Sequence, residues 1–197
     1  MKYNFEKIYA DGAWGKGSGS GSRPEFTATY REFLQAFMKE HGIKRVFDIG
    51  CGDWQFSQFI DWSGIEYTGI DVVSPVIKAN HEQFSAHNIK FVNADVLQTG
   101  IDVFGPFEET DLIISKDVLQ HWPNWCIEEF LRLVVKFPGH FLLTNDRLEP
   151  GTDNFTTDIQ NPGGWRRMDI TAPPFNFPGK EVFALDVHKR TIHGRFV

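Results

Sequence analysis

Apolar positions along the chain follow two alternating spacings. Short, nearly unbroken apolar runs at 45–49, 66–70, 90–93, 111–115 and 140–144 have the pattern of strands buried on both faces. Between them the apolar residues recur at helical intervals, which predicts helices over 54–62 and 75–87 and helical character within 118–136. Ahead of the first strand, Phe26, Tyr30, Phe33, Leu34, Phe37 and Met38 keep helical spacing up to a stop at Gly42, and Ser22-Arg23-Pro24-Glu25 reads as a capping box at the start of that helix. Strands alternating with helices predict a parallel sheet covered on both faces. At the end the rhythm changes: 181–187 and 190–196 read as two strands joined by a tight turn around His188-Lys189, an antiparallel hairpin at one edge of the sheet.

The first predicted strand runs straight into a glycine turn, Asp48-Ile49-Gly50-Cys51-Gly52. Glycines at 50 and 52 let backbone approach a ligand where a side chain would collide, and a helix starting just after them would offer unpaired N–H groups. The second strand ends in Asp71, a carboxylate suited to a ribose diol. Together these features predict an adenosine-bearing ligand. A dinucleotide is disfavoured, because Gln55 stands where a third glycine is wanted and bulky Trp54 precedes it. In an open parallel sheet ligands bind beyond the carboxyl ends of the strands. The candidates there are Asp48 and Gly50, Asp71 and Val72, Asp95 and Val96, Lys116 and Asp117, and Asn145 and Asp146. Each carboxylate has a plainer use as a cap for the next helix.

In order and spacing, this glycine turn, Asp71, Asn93-Ala94-Asp95-Val96 and Asp111-Leu112-Ile113-Ile114-Ser115-Lys116-Asp117 resemble the class I S-adenosylmethionine-dependent methyltransferases over residues 43–145. The resemblance implies a Rossmann-like α/β fold with a seven-stranded, mostly parallel sheet, helices on both faces and a C-terminal antiparallel hairpin. It implies S-adenosylmethionine as methyl donor and S-adenosylhomocysteine as product. It puts Gly50, Cys51 and Gly52 beside the methionine part of the donor, Asp71 with Val72 on the ribose, and Asp95 with the Val96 backbone at the adenine edge. Asp48 is expected to meet backbone N–H groups of the turn or the donor ammonium, and Lys116 to border the same site.

Residues 12–21 hold five glycines in ten positions, and the stretch resembles the Gly/Ser-rich amino-terminal segment of some small bacterial methyltransferases. It reads either as a flexible linker or as a lid in which Trp14 covers an apolar face and Ser18, Ser20 and Ser22 meet a carboxylate. Half of the ten prolines lie within 150–178, a segment too long for an ordinary connection and so assigned to the acceptor, with Arg166 and Arg167 beside Trp165 as candidate contacts. His121 follows the fourth strand; it is either a general base for an acceptor hydroxyl or a packing residue. Asp117, Asn145 and Asp146 are further candidate acceptor contacts; they would also suit a hard divalent ion, but their order departs from that of the catechol-type O-methyltransferases, and no metal is assigned.

Composition narrows the partners more than the fold. At 197 residues, 41% hydrophobic and 23% charged, the chain suits one domain. That domain divides into a lid and helix (1–42), a donor-binding core (43–145), an acceptor-side segment (146–180) and a terminal hairpin (181–197). A formal charge of -6 argues against a nucleic-acid partner, and with no apolar run long enough to span a bilayer and no leader-like start, a cytoplasmic location is expected. Cys51 and Cys126 suggest neither a disulfide nor a metal site. The expected activity is methyl transfer to an oxygen or nitrogen of a small-molecule or sugar-containing acceptor. The rivals are a noncatalytic adenosyl-ligand binding protein, a metal-assisted O-methyltransferase and a nicotinamide-dependent oxidoreductase.

Overall fold

The structure is a computed structural model that describes residues 2–100, 109–185 and 188–195. Its strands are β1 (Arg45–Ile49), β2 (Glu66–Asp71), β3 (Ile89–Asn93), β4 (Leu112–Lys116), β5 (His140–Asp146), β6 (Lys180–Leu185) and β7 (Lys189–Arg195). They form one sheet in the order β3-β2-β1-β4-β5-β7-β6. The first five strands are parallel, and β7 lies antiparallel between β5 and β6. The expected mixed sheet with its terminal hairpin is therefore present. The hairpin residues predicted at 186, 187 and 196 fall outside the described residues.

Strand alternation sorts the core into two layers. Phe47 and Ile49 of β1, Ile113 of β4 and Phe141 and Leu143 of β5 pack on one face with Ile127, Phe130 and Val134 of helix α5 (Asn124–Val134). Val46, Leu112, Ile114 and Leu142 point the other way, onto Tyr30, Leu34 and Met38 of α2 (Ala28–Glu40). A fully buried Leu, Ile or Phe contributes roughly 1.5–3 kcal/mol. This double burial, rather than helix propensity, holds the helices in place. The remaining helices are α1 (Lys2–Asp11), α3 (Ser74–Phe84) and α4 (Val96–Thr99).

Three helix expectations need correction. No α-helix follows the glycine turn: residues 54–62 contain a single 3-10 turn, Ser57–Phe59. Trp54 sits at φ 58, a left-handed conformation that no helix can pass through, and the Trp62 indole donates to the Ser57 carbonyl at 2.9 Å, taking the acceptor a helix would need. The capping box is absent as well. Pro24 keeps Arg23 extended (φ -70, ψ 141), so α2 starts only after Thr27, whose hydroxyl donates to the Arg23 carbonyl at 3.0 Å. The helical stretch at 118–136 splits into a 3-10 turn, Leu119–His121, and α5, because Pro123 holds Trp122 extended. That break leaves His121 on a turn beyond β4 rather than within a helix.

Candidate functional site

The direction of strand succession reverses between β1 and β4, and a cavity of about 450 Å³ opens there at the carboxyl ends of the strands, where a doubly wound sheet places its ligands. Its floor is the glycine turn. Gly50 (φ 77) has no room for a side chain, since a Cβ would stand 2.4 Å from Val118 Cγ2. At Gly52 (φ 55) a Cβ would stand 2.3 Å from Ser18 Oγ. The N–H groups of the turn are already used. Those of Gly50 and Cys51 donate to the Ile70 carbonyl at 2.8 and 3.1 Å, that of Gly52 to Asp71 Oδ2 at 3.1 Å, and that of Asp53 to Ser18 Oγ at 3.0 Å. From α3, Asn80 fixes the turn by donating to the Gly52 carbonyl at 2.8 Å.

The amino-terminal segment is part of the site rather than a linker. Ser18 Oγ donates to Asp53 Oδ1 at 2.6 Å and lies 2.6 Å from the Tyr9 hydroxyl, so Ser18 clasps the segment onto the turn. Trp14 packs against Phe5, Tyr9 and His121, with its ring centroid 4.6 Å from that of His121. Ser20 and Gly21 line the cavity farther on, and the Gly21 carbonyl accepts from Lys116 Nζ at 2.8 Å. Ser18 was expected to meet a carboxylate and meets that of Asp53, but Tyr9 and Asp53 themselves were missed, since nothing in the sequence links 18 to 53.

Carboxylates dominate the end of the cavity near the glycine turn. Asp48 is buried against the Tyr67 hydroxyl at 2.6 Å, not against the turn's N–H groups, which corrects one expectation for it. Burial pushes its carboxyl up to about 7, against the lowering effect of the Tyr67 hydrogen bond. Asp71 is raised too, by burial first, although it accepts from the N–H groups of Gly52 and Val73. Asp95 caps α4 by accepting from the Leu97 N–H at 3.1 Å and also faces the cavity, as do Val72 and Val96. The Cys51 thiol is buried beneath the turn and its pKa pushed well up, chiefly by burial. Trp54 does not restrict this site: its ring is buried in the opposite layer against Tyr67, Phe84 and Phe91.

The far end is charge-paired. Lys116 Nζ contacts Asp117 Oδ2 at 2.5 Å, and Lys189 Nζ contacts Asp117 Oδ1 at 2.5 Å and Asp146 Oδ1 at 2.7 Å. Burial alone would raise the Asp117 pKa, but the two ammoniums outweigh it and hold the carboxyl below its usual range. The space between Asp117 and Asp146, where a divalent ion could have bridged them, holds the Lys189 ammonium. His121 lines the same end, with Nδ1 2.6 Å from the Gly164 carbonyl. A carbonyl only accepts, so Nδ1 carries the proton and Nε2 keeps its lone pair in the neutral ring. Burial lowers the pKa of His121 and outweighs the opposite effect of that hydrogen bond.

Three of the proposed acceptor contacts do not line the cavity. Asn145 is buried, accepting from the Gln120 N–H at 3.3 Å. Arg166 is a buried brace whose guanidinium donates to the Asn154 and Trp122 carbonyls at 3.3 and 3.2 Å. Arg167 points outward, pairing with Glu149 and lying over the Trp165 ring. Trp165 itself reaches the cavity mouth, where its indole N–H donates to Asp146 Oδ2 at 2.8 Å. Lys189 and Gln120 were missed, although an antiparallel last strand beside β5 must bring its first residue to the cavity end; the register pairs Lys189 with Asp146.

A family model described as a methyltransferase domain matches residues 47–137. Just under half of the chain thus matches a methyltransferase domain. No curated protein matches the sequence. Among solved structures, 1,6-didemethyltoxoflavin-N1-methyltransferase of Burkholderia thailandensis superposes with a TM-score of 0.67 at 16% identity, covering 100% of this chain and 87% of that one. The N-methyltransferase NodS of Bradyrhizobium japonicum WM9 gives 0.61 at 18% identity, covering 88% of each chain. Mitomycin 7-O-methyltransferase gives 0.65 at 17% identity over 87% of this chain, which spans only 54% of that enzyme. At such identities the likeness establishes the fold. The methyltransferase domain includes the glycine turn, Asp71, Asp95, Lys116, Asp117 and His121. Tyr9, Trp14, Ser18, Asp146, Trp165 and Lys189 come from outside it, so the cavity is completed by chain that the domain match does not cover.

Proposed function

We propose that this protein transfers a methyl group from S-adenosylmethionine to an oxygen or nitrogen of a small-molecule or sugar-containing acceptor. The observation that carries this reading is the chemistry around the glycine turn. Asp48, Asp53 and Asp71 surround it, its N–H groups are all bonded to protein, and no α-helix opens beside it. A diphosphate would meet negative charge and no free donor, whereas a cationic nucleoside meets carboxylates. This replaces the steric argument from Trp54 and still disfavours a nicotinamide dinucleotide. Solved relatives that were captured with S-adenosylhomocysteine, among them the Burkholderia enzyme and NodS, point the same way.

In this reading Asp71 accepts from the ribose hydroxyls with the lone pairs left free by Gly52 and Val73. Asp95 and Val96 border the base, and Gly50, Cys51, Gly52 and Asp48 border the methionine part. Trp14 and Ser20 close over it. When bound, the donor supplies an electrophilic methyl whose S–C bond breaks with the electron pair left on sulfur. The protein's share is alignment and exclusion of water. His121 Nε2 takes a hydroxyl proton where the acceptor has one to lose. The metal-assisted alternative is disfavoured, because Lys189 already neutralises Asp117 and Asp146.

Calorimetry with S-adenosylmethionine, S-adenosylhomocysteine and NAD tests the donor. Binding of the first two and not of NAD is expected; the reverse order would end the proposal. Release of S-adenosylhomocysteine with hydroxyl and amine acceptors then separates an enzyme from a noncatalytic binder.

A further inference from the structure

We infer that the charge-paired end of the cavity is a subsite for a neutral ring carrying adjacent hydroxyl groups, a sugar or cyclic polyol, and that one of those hydroxyl oxygens takes the methyl group. The inference rests on the donor reading above and narrows its acceptor. Lys116, Asp117, Lys189 and Asp146 touch in series with alternating charge, at 2.5, 2.5 and 2.7 Å. Two ammoniums and two carboxylates sum to zero. An anionic acceptor finds no unpaired cation here and a protonated amine no unpaired carboxylate, so either must break an existing buried pair, at a cost that binding has to offset.

A hydroxyl group meets no such obstacle, because it donates and accepts at once. Each ammonium has three N–H donors. Lys116 spends two on Gly21 and Asp117 and lies over the Tyr30 and Phe56 rings, whereas Lys189 spends two on Asp117 and Asp146 and keeps one for a ligand. The carboxylates keep free lone pairs. A ring with neighbouring hydroxyls can add to such a series at several points, its hydroxyls accepting hydrogen bonds from an ammonium and donating them to the carboxylates. Trp165 supplies the other requirement. It is 54% exposed at the cavity mouth, and the bond from its N–H to Asp146 fixes the indole as a flat surface for the C–H face of a ring. The arrangement is held rather than incidental: Asp117 adopts φ 59, a conformation that non-glycine residues keep only where surrounding contacts impose it, and both lysines hold its carboxylate there. As the new carbon–oxygen bond forms, the hydroxyl proton passes to His121 Nε2.

The test uses the full chain saturated with S-adenosylhomocysteine and methyl glycosides that share one ring, in neutral, 6-carboxylate and 2-amino forms, with binding followed by saturation-transfer NMR and titration. The neutral form should bind at least about tenfold tighter than either charged form. Asp146→Asn and Lys189→Met should weaken its binding about tenfold or more, with affinity for S-adenosylhomocysteine unchanged within about twofold, which also shows that the variants fold. Trp165→Ala, at an exposed position, should weaken it about fivefold. Charged glycosides binding as well as neutral ones, neutral glycosides failing to bind the S-adenosylhomocysteine complex, or an Asp146→Asn variant that binds them normally would each overturn the subsite alone. A wild-type protein that does not bind S-adenosylhomocysteine overturns the donor reading with it.

Discussion

The two ends of the cavity are built on opposite electrostatic plans. Around the glycine turn the acids form no ion pair among the described residues: Asp48 meets the Tyr67 hydroxyl, with Lys116 a minor opposing influence, Asp71 meets backbone N–H groups, and burial raises the pKa of both. At the far end Asp117 and Asp146 are matched by Lys116 and Lys189, and Asp117 is lowered. A site that keeps buried carboxylates unpaired is destabilised until a cation arrives; one that pairs them is complete before its ligand enters. The first plan suits a charged donor and the second an uncharged acceptor.

The largest effect should come from the histidine that lines the charge-paired end. His121→Ala is expected to lower kcat about 10²–10⁴-fold, the usual range for a lost general base, while S-adenosylhomocysteine binds within about threefold of wild type. In the wild type the acid limb of the kcat/KM profile should lie below the ordinary histidine value, since burial lowers this pKa and the base stays neutral further into acid. Unchanged turnover in the variant would reduce His121 to a partner for Trp14. Next in size, Asp71→Ala should weaken donor binding about 10–100-fold by calorimetry, through loss of hydrogen bonds to a charged acceptor. If donor affinity holds, the ribose assignment fails and the contrast between the two ends loses its firmest member.

Asp48→Asn gives a smaller and two-sided effect that sharpens the contrast. A carboxyl whose folded value is about 7 against an ordinary 3.8 adds stability at low pH and loses it as pH rises between those values. At pH 8 the neutral amide should therefore raise the Tm of the ligand-free protein while weakening donor binding about tenfold, because the charge that destabilises the empty site is the one that meets the ammonium. A variant that loses Tm, or gains it with full donor affinity, would show that Asp48 is only a core partner of Tyr67.

Legibility in the sequence divides between local patterns and contacts made across the fold. The sheet, its terminal hairpin and the line of residues from Asp48 to Val96 could be read because strand burial and the glycine turn are local patterns. The contacts between distant segments could not. Lys189 meets Asp146 only through the pairing of β7 with β5, and at the glycine turn Ser18 meets Asp53 only through the fold of the amino-terminal segment over it. Arg166 misled for a related reason: beside Trp165 it reads as a ligand contact, yet it points inward and braces the Asn154 and Trp122 carbonyls. The helix expected over 54–62 failed because left-handed Trp54 and the bond from the Trp62 indole to Ser57 override its apolar spacing.

The smallest effect is expected where neither plan applies, in the histidines outside the cavity. His140 Nδ1 and His193 Nε2 are 2.9 Å apart on paired strands, and the His41 ring of the segment after α2 packs on His140. A 2.9 Å contact between two ring nitrogens needs one N–H and one lone pair, so protonating both rings breaks it. Burial first, then His41, Arg195 and His193, lower the His140 pKa to about 4 from 6.5, with Asp111 acting weakly the other way. A histidine depressed on folding adds stability that is complete above its unfolded value and disappears as pH falls toward the folded one. This histidine's contribution to Tm should thus fall between pH 6.5 and 4, opposite in sign to that of Asp48 over the same range, and it is read as the difference in Tm between wild type and variant. His140→Phe should flatten that fall, with donor affinity at pH 7.5 unchanged within about twofold, since a change this far from the ligand adds independently. A donor affinity that moved with His140 would mean that this end of the sheet is energetically coupled to the cavity, and the electrostatic contrast would then belong to the whole sheet rather than to the two halves of one site.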